Sequence, residues 1–184
     1  MKHELAADIL VRRVRHDEWR QVRALRLDAL RDPIASVAFL ETVEQALARP
    51  DEEWRSRTVS HAEGKRSVQF VAERGGTWIG SLTVFVRAAG VPDYFDRILD
   101  IDLPTVVGVF VAPSGRGLGV IDALLASAAG WAHDRGDRLL TLDVHESNLP
   151  AIRAYERAGF EPRGEFVTPD GREVGMVKDL TAAK

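Results

Sequence analysis

Between Thr105 and Asp134 the chain switches abruptly from one hydrophobic period to another, and this switch constrains the fold most. Residues 105–111 (TVVGVFV) are almost all β-branched or aromatic, as in a strand buried on both faces. Pro113 ends it. Gly115, Gly117 and Gly119 follow, and then Ile121, Leu124, Leu125, Ala128 and Ala132 recur at helical spacing before Gly136. A buried strand that turns through glycines straight into a helix predicts a sheet with helices packed on it. Such a turn also suits a ligand. Glycine lets a backbone approach closely, and a helix start offers unpaired N–H groups and a dipole that favours negative charge. Arg116 adds a cation with fork geometry suited to phosphate. These are the parts of a pyrophosphate cradle, although an ordinary strand-to-helix connection uses the same ones.

Two familiar phosphate loops do not fit. A P-loop ends in Gly-Lys-Ser/Thr, whereas Gly119 is followed by Val120 and Ile121. A dinucleotide fingerprint has a third glycine where this chain has Asp122, and it opens the first βαβ unit rather than falling past mid-chain.

The flanking segments extend the pattern. Residues 9–15 read as a first strand. Asp17 is placed to cap a helix reaching Arg31, with Trp19, Val22, Leu25 and Ala29 on one face. A second helical stretch, 40–57, is interrupted at Pro50, and Asp51 is placed to cap its second half. Residues 67–73 alternate, with Val68, Phe70 and Ala72 on one face; Gly75-Gly76 turns them into a returning strand, 77–87. An insertion, 88–104, carries Asp93, Tyr94, Phe95, Asp96, Asp100 and Asp102. Residues 138–144 form another strand, and His145 to Asn148 a polar turn. Pro150 opens a helix that Gly159 ends, and 160–167 with 173–180 close the chain as a hairpin. The expectation is one α/β domain over residues 1–184, a single mixed sheet of about seven strands with four helices.

Composition removes several function classes. At 184 residues the chain suits one domain, on a prior of ~100–200 residues each. It has 25 Lys and Arg against 28 Asp and Glu, without the basic excess of a nucleic-acid binder. No cysteine is present, so a disulfide, a thiolate metal site and a cysteine nucleophile are excluded. The histidines show no paired metal-ligand spacing, so no metal is expected. Gly-x-Ser-x-Gly does not occur. The first eight residues (MKHELAAD) lack the apolar core of a secretory signal, and no apolar run approaches the ~20 residues that span a bilayer. A cytoplasmic protein without nucleic-acid or membrane partners is expected, and a homodimer through the closing hairpin or helix faces is compatible with the pattern.

A second segment joins the glycine turn. In residues 148–160 (NLPAIRAYERAGF), Asn148 precedes a helix on which Ala151, Tyr155 and Ala158 share a face, and Gly159-Phe160 follows. Taken singly, Asn148 reads as a helix cap and Tyr155 as a half-buried aromatic. Together the two segments make the chain resemble the GNAT N-acetyltransferase superfamily over about residues 9–180. Val111, Pro113, Arg116, Gly117 and Gly119 stand in the register of that family's acetyl-CoA motif, Val-x-Pro-x-x-Arg-Gly-x-Gly-x-(Gly/Ala). Asn148, Tyr155, Gly159 and Phe160 match its second motif. Ile121 departs from the pattern, standing where the family has Gly or Ala; it either crowds the pyrophosphate or widens the helix's core face.

The resemblance implies a mostly antiparallel sheet whose central strands splay at a cofactor cleft, and an acetyl-CoA-dependent N-acetyltransferase that uses acetyl-CoA as co-substrate and no metal. It implies that Val109, Phe110 and Val111 pair their backbone with the pantetheine arm, one N–H polarising the thioester carbonyl. The N–H groups of Arg116, Gly117, Leu118, Gly119, Val120 and Ile121 would hold the pyrophosphate. Asn148 would bond the pantetheine arm or brace the opening, and Tyr155 would act as general acid on the leaving thiolate. The alternative is a non-catalytic CoA-binding regulatory domain on the same fold, which Ile121 and the lack of a glutamate at the start of the central strand keep open.

The acceptor is expected to be an amine, of a small molecule or a peptide. With a Lys-like pKa of ~10.4, about one molecule in a thousand is neutral at pH 7, so deprotonation accounts for ~4–5 kcal/mol of the barrier. Candidate bases are Asp100, Asp102, His145 and Glu146, and Glu146 in the turn before Asn148 is the one selected. The aspartates and aromatics of the insertion suit a cationic, partly apolar amine such as a polyamine or aminoglycoside; a peptide α-amine or a lysine side chain is the other option.

Overall fold

The computed structural model describes residues 6–93, 96–169 and 171–181. Tyr94 and Phe95, the aromatics expected at the acceptor end, lie outside the described residues. In chain order the elements are β1 (Ile9–Arg13), α1 (Trp19–Leu30), a 3-10 turn (Ala35–Val37), α2 (Val43–Ala48), α3 (Asp51–Glu63), β2 (Ser67–Arg74), β3 (Thr77–Arg87) and β4 (Leu103–Val111). A second 3-10 turn (Pro113–Gly115), α4 (Val120–Asp134), β5 (Leu139–His145), α5 (Leu149–Arg157), β6 (Glu161–Thr168) and β7 (Gly171–Asp179) complete the chain. The seven strands form one sheet in the order β1-β2-β3-β4-β5-β7-β6. All neighbours are antiparallel except β4 and β5, as the mixed, mostly antiparallel expectation requires.

Two local departures have clear causes. The helical stretch around Pro50 is two helices, so five α-helices flank the sheet rather than four. Proline drives the residue before it out of the helical region, and Arg49 is extended (φ −68°, ψ 125°). A capping box between Thr42 and Gln45 starts α2, while Asp51, Glu52 and Glu53 lie inside the first turn of α3, where their charge complements the dipole. At α1 the cap position falls on Glu18 rather than Asp17. The Glu18 carboxylate serves tertiary contacts instead, accepting from the Arg12 guanidinium at 2.7 and 2.8 Å and from the Arg15 N–H at 2.7 Å.

Helices cover both faces of the sheet. On one, Leu124, Leu125, Ala128 and Ala132 of α4 pack with Val68, Leu82, Leu142 and Met176 of the strands. On the other, Trp19, Val22 and Leu30 of α1 and Trp54 of α3 pack against Val71. The period-two pattern of β2 is obeyed, since Val68, Phe70 and Ala72 join the α4 side and Val71 the other. Gly80 of β3 admits the start of α4: a Cβ there would stand 2.9 Å from Val120 Cγ1 and 3.0 Å from the Phe110 carbonyl oxygen. Gly80→Ala is expected to lower the unfolding free energy by about 1–3 kcal/mol through this overpacking. A urea titration checks it, with a lower midpoint and an unchanged m-value.

Candidate active site

The site begins where β4 and β5 separate. They pair only at Thr105 with Thr141 and Val106 with Leu142. The two threonine hydroxyls lie 3.0 Å apart, and Thr141 donates to the Pro104 carbonyl at 3.1 Å, closing this end of the opening. Beyond it β5 stays with β7, and β4 continues with β3 on one side and, among the described residues, no strand on the other. β4 also bulges: Ser81 faces Phe110 but Thr83 faces Val107, so one extra residue is accommodated around Gly108, whose φ of +61° suits glycine. The bulge exchanges faces. Val106 and Val109 pack with the α4 cluster, while Phe110 turns to Leu25 and Ala29 of α1.

A cleft of about 1750 Å³ runs along this open edge from the α1–α3 side to the start of α4. That exceeds the ~300–1,000 Å³ of a typical small-ligand pocket and leaves room for two substrates. Val109, Phe110, Val111, Gly117, Gly119, Val120, Ile121, Asn148 and Tyr155 all line it. Gly119, in a left-handed conformation, occupies the cap position of α4. Among the described residues the backbone N–H groups of Gly117, Gly119, Val120 and Ile121 make no hydrogen bond. These four donors and the unpaired β4 edge match a phosphate-bearing ligand with an amide-rich arm. Ile121 is partly buried against the main core, so its side chain widens the core face of α4.

Other sequence-derived positions behave differently. The Arg116 N–H is used in the 3-10 turn, bonded to Pro113 at 3.3 Å. Its guanidinium pairs with Asp32 at 2.5 Å and donates to the Val111 carbonyl at 3.2 Å, so it braces the turn rather than presenting a free cation. Leu118 does not line the cleft. Its N–H bonds Gly115, its carbonyl accepts from Ala6, and its side chain packs on the core. Glu146 is also outside the cleft, exposed and ion-paired with Arg172 at 3.6 Å. Asn148 caps α5, its side-chain oxygen accepting the Ala151 N–H at 3.3 Å. Tyr155 is buried, edge-on to Phe160 at 6.2 Å, and its hydroxyl has no hydrogen-bond partner among the described residues. Burial pushes its phenol well above the ordinary value, so it stays protonated.

Sequence reasoning missed the acceptor-side walls. Glu173 of β7 is buried, lines the cleft and is the register partner of His145, which also lines it. Only the pairing of β5 with β7 brings them together. Two of the insertion's acids, Asp93 and Asp102, are already paired. Asp93 binds Arg87 and Arg97, each at 2.8 Å, and Arg97 also binds Asp143 at 2.5 Å. Asp102 binds Arg66 and the Ala89 N–H, away from the cleft. Among the described residues no group of three or more acidic or histidine side chains could hold a metal. Among the described residues no helix is long and apolar enough to cross a membrane.

The model of the acetyltransferase (GNAT) family matches residues 20–160. The chain belongs to the GNAT acetyltransferase family. Its GNAT fold has close structural counterparts: yncA from Salmonella typhimurium, solved with its cofactor acetyl-CoA, superposes with a TM-score of 0.73 at 14% identity over 96% of each chain. This GNAT chain is 45% identical over 56 residues to streptothricin acetyltransferase of Streptomyces lavendulae, 30% of each protein. It is 26% identical over 155 residues to the ribosomal protein bS18 alanine N-acetyltransferase of Escherichia coli K12, covering 79% of this chain and 96% of that one. The match spans 30% and 41% of the lengths of the first two curated relatives.

His61 of α3 also lines the cleft. Burial first, then the charges of Arg57 and Arg13, push its imidazole from 6.5 down to about 4. A depressed histidine leaves the folded protein neutral while the unfolded chain takes up a proton. Its contribution is therefore intact above about pH 6.5 and lost as pH falls through 4, about 3 kcal/mol in all. His61→Leu is expected to remove that part of the acid destabilisation, read from urea unfolding of both proteins at pH 7 and pH 4.5.

Proposed function

We propose that this single GNAT domain transfers an acetyl group directly from acetyl-CoA to a primary amine. One observation carries the reading: the open edge of β4 leads to the four unpaired N–H groups at the start of α4, with the unpartnered Tyr155 hydroxyl also in that cleft. Gly117, Gly119, Val120 and Ile121 hold the pyrophosphate through their backbone. Val109, Phe110 and Val111 hold the pantetheine arm, with Asn148 bracing the far side. The thioester supplies an activated acetyl carbon with a thiolate leaving group.

The chain's own groups divide the work. Backbone N–H groups at the β4 bulge polarise the acetyl carbonyl, where a fixed donor is worth far more than in water. The acceptor nitrogen bonds to the acetyl carbon as the carbon–sulfur bond breaks. Glu173 takes the proton from the amine, the role that Glu146 cannot fill from the exposed side of its turn, while His145 beside it has its Nδ1 occupied by the Ser147 N–H at 3.1 Å. Tyr155 gives its proton to the sulfur. A thiol of pKa ~8.5 is already a fair leaving group, so this step needs only modest help. A cytoplasmic setting belongs to the same reading, since acetyl-CoA is an intracellular co-substrate.

Thermal melts with acetyl-CoA and with NADH test the cofactor. At a hundred times its dissociation constant a ligand adds ~2.7 kcal/mol, raising Tm by roughly 5–10 °C for a chain of this size. Acetyl-CoA should produce that rise and NADH none. Tyr155→Phe should keep the rise and reduce kcat by about 100-fold, the lower end for general acid catalysis. No rise with acetyl-CoA overturns the reading, and unchanged turnover in Tyr155→Phe removes that residue's role.

A further inference from the structure

One cleft-lining cation lies beside the β4 bulge. Arg26 of α1 is largely buried, its guanidinium stacked on the Phe39 ring at 4.4 Å. Its Nε donates to Glu41 at 2.9 Å. Its Nη1 reaches to 3.9 Å from where a Cβ on Gly108 would stand, next to the bulge. Glu41 cannot neutralise it fully, because Arg49 occupies the other carboxylate oxygen. Arg49 also shares Glu53 with Arg57, so three guanidiniums face two carboxylates on this wall. Among the described residues the two Nη groups of Arg26 have no hydrogen-bond partner. The other cleft-lining cluster is balanced, Arg87 and Arg97 against Asp93 and Asp143.

On the reading that acetyl transfer takes place at this bulge, the attacking amine must come within about 3–3.5 Å of the acetyl carbon there. Whatever the amine carries on its neighbouring carbon then lies close to the Arg26 fork. A guanidinium favours carboxylate and carbonyl oxygens and repels a second cation. We infer that Arg26 selects the acceptor by binding an oxygen on the carbon attached to the amine-bearing carbon. The substrate is then an α-amino acyl group, from a free amino acid or a peptide N-terminus, and not a polyamine or amino sugar. The fork positions the amine by its neighbour and takes no part in proton transfer.

The test measures CoA release by the full chain with acetyl-CoA and L-alanine, L-alaninamide, alanyl-alanine, isopropylamine, spermidine and kanamycin. At least one alanyl acceptor should exceed the other three amines in kcat/KM by about 10–100-fold, the worth of a charge-assisted hydrogen bond. Preference for alanine points to a carboxylate and a free amino acid; preference for alaninamide and the dipeptide points to a peptide terminus. Arg26→Gln should abolish the advantage through KM, with the acetyl-CoA thermal shift kept, and Arg26→Lys should restore it in part. Preference for spermidine or kanamycin, an advantage that survives in both variants, or an acetyl-CoA shift with no alanyl turnover overturns the inference. Absence of any acetyl-CoA shift in the unaltered protein instead overturns the transferase reading itself.

Discussion

Everything in the site depends on how briefly β4 and β5 pair. Two register partners and a hydroxyl contact between Thr105 and Thr141 hold the strands together, and beyond them the sheet opens. A strand in mid-sheet normally spends its backbone groups on both neighbours. Here β4 keeps β3 and loses β5 for the rest of its length, so a row of donors and acceptors faces a cleft instead of a strand. The bulge at Gly108 adds a break in the remaining ladder at the same place.

The closed end of the opening is clamped by charge. Arg87 of β3 reaches over β4 toward Thr141, and with Arg97, Asp93 and Asp143 it ties the insertion to β5. The Arg87 and Asp93 side chains are 9% and 8% exposed, so their charges are nearly desolvated. Removing one partner from such a set typically costs ~3–5 kcal/mol, because the other is left buried and uncompensated. The Asp residues that look like an acidic lure in the sequence are thus partly internal braces, and the charge facing an acceptor is set by other residues.

Much of this architecture was legible in the chain. The alternation of residues 67–73, the Gly75-Gly76 turn and the strand–glycine–helix junction at 105–134 all use local rules, and the structure follows them. The family match bears out the resemblance that the paired motifs around Gly117 and Tyr155 suggested. Arg116 is a good example of where local reading stops. Its residue type and position suit phosphate, yet its guanidinium is taken by Asp32, brought to it from the end of α1 by packing. Leu118 and Glu146 stand beside the right residues in sequence but face away from the cleft.

The sequence alone determined the seven strands and their order, the glycine turn at the head of α4, the cap at Asn148 and the membership of a family, because period, turn chemistry and capping act over a few residues. The tertiary structure alone decided which side chains share the cleft. The register of β5 on β7 sets Glu173 beside His145, and the packing of α1 on β4 brings Arg26 to Gly108. Those partners come from strand pairing and helix packing between distant parts of the chain. Burial and charge neutralisation there depend on what folding brings together, which no local pattern records.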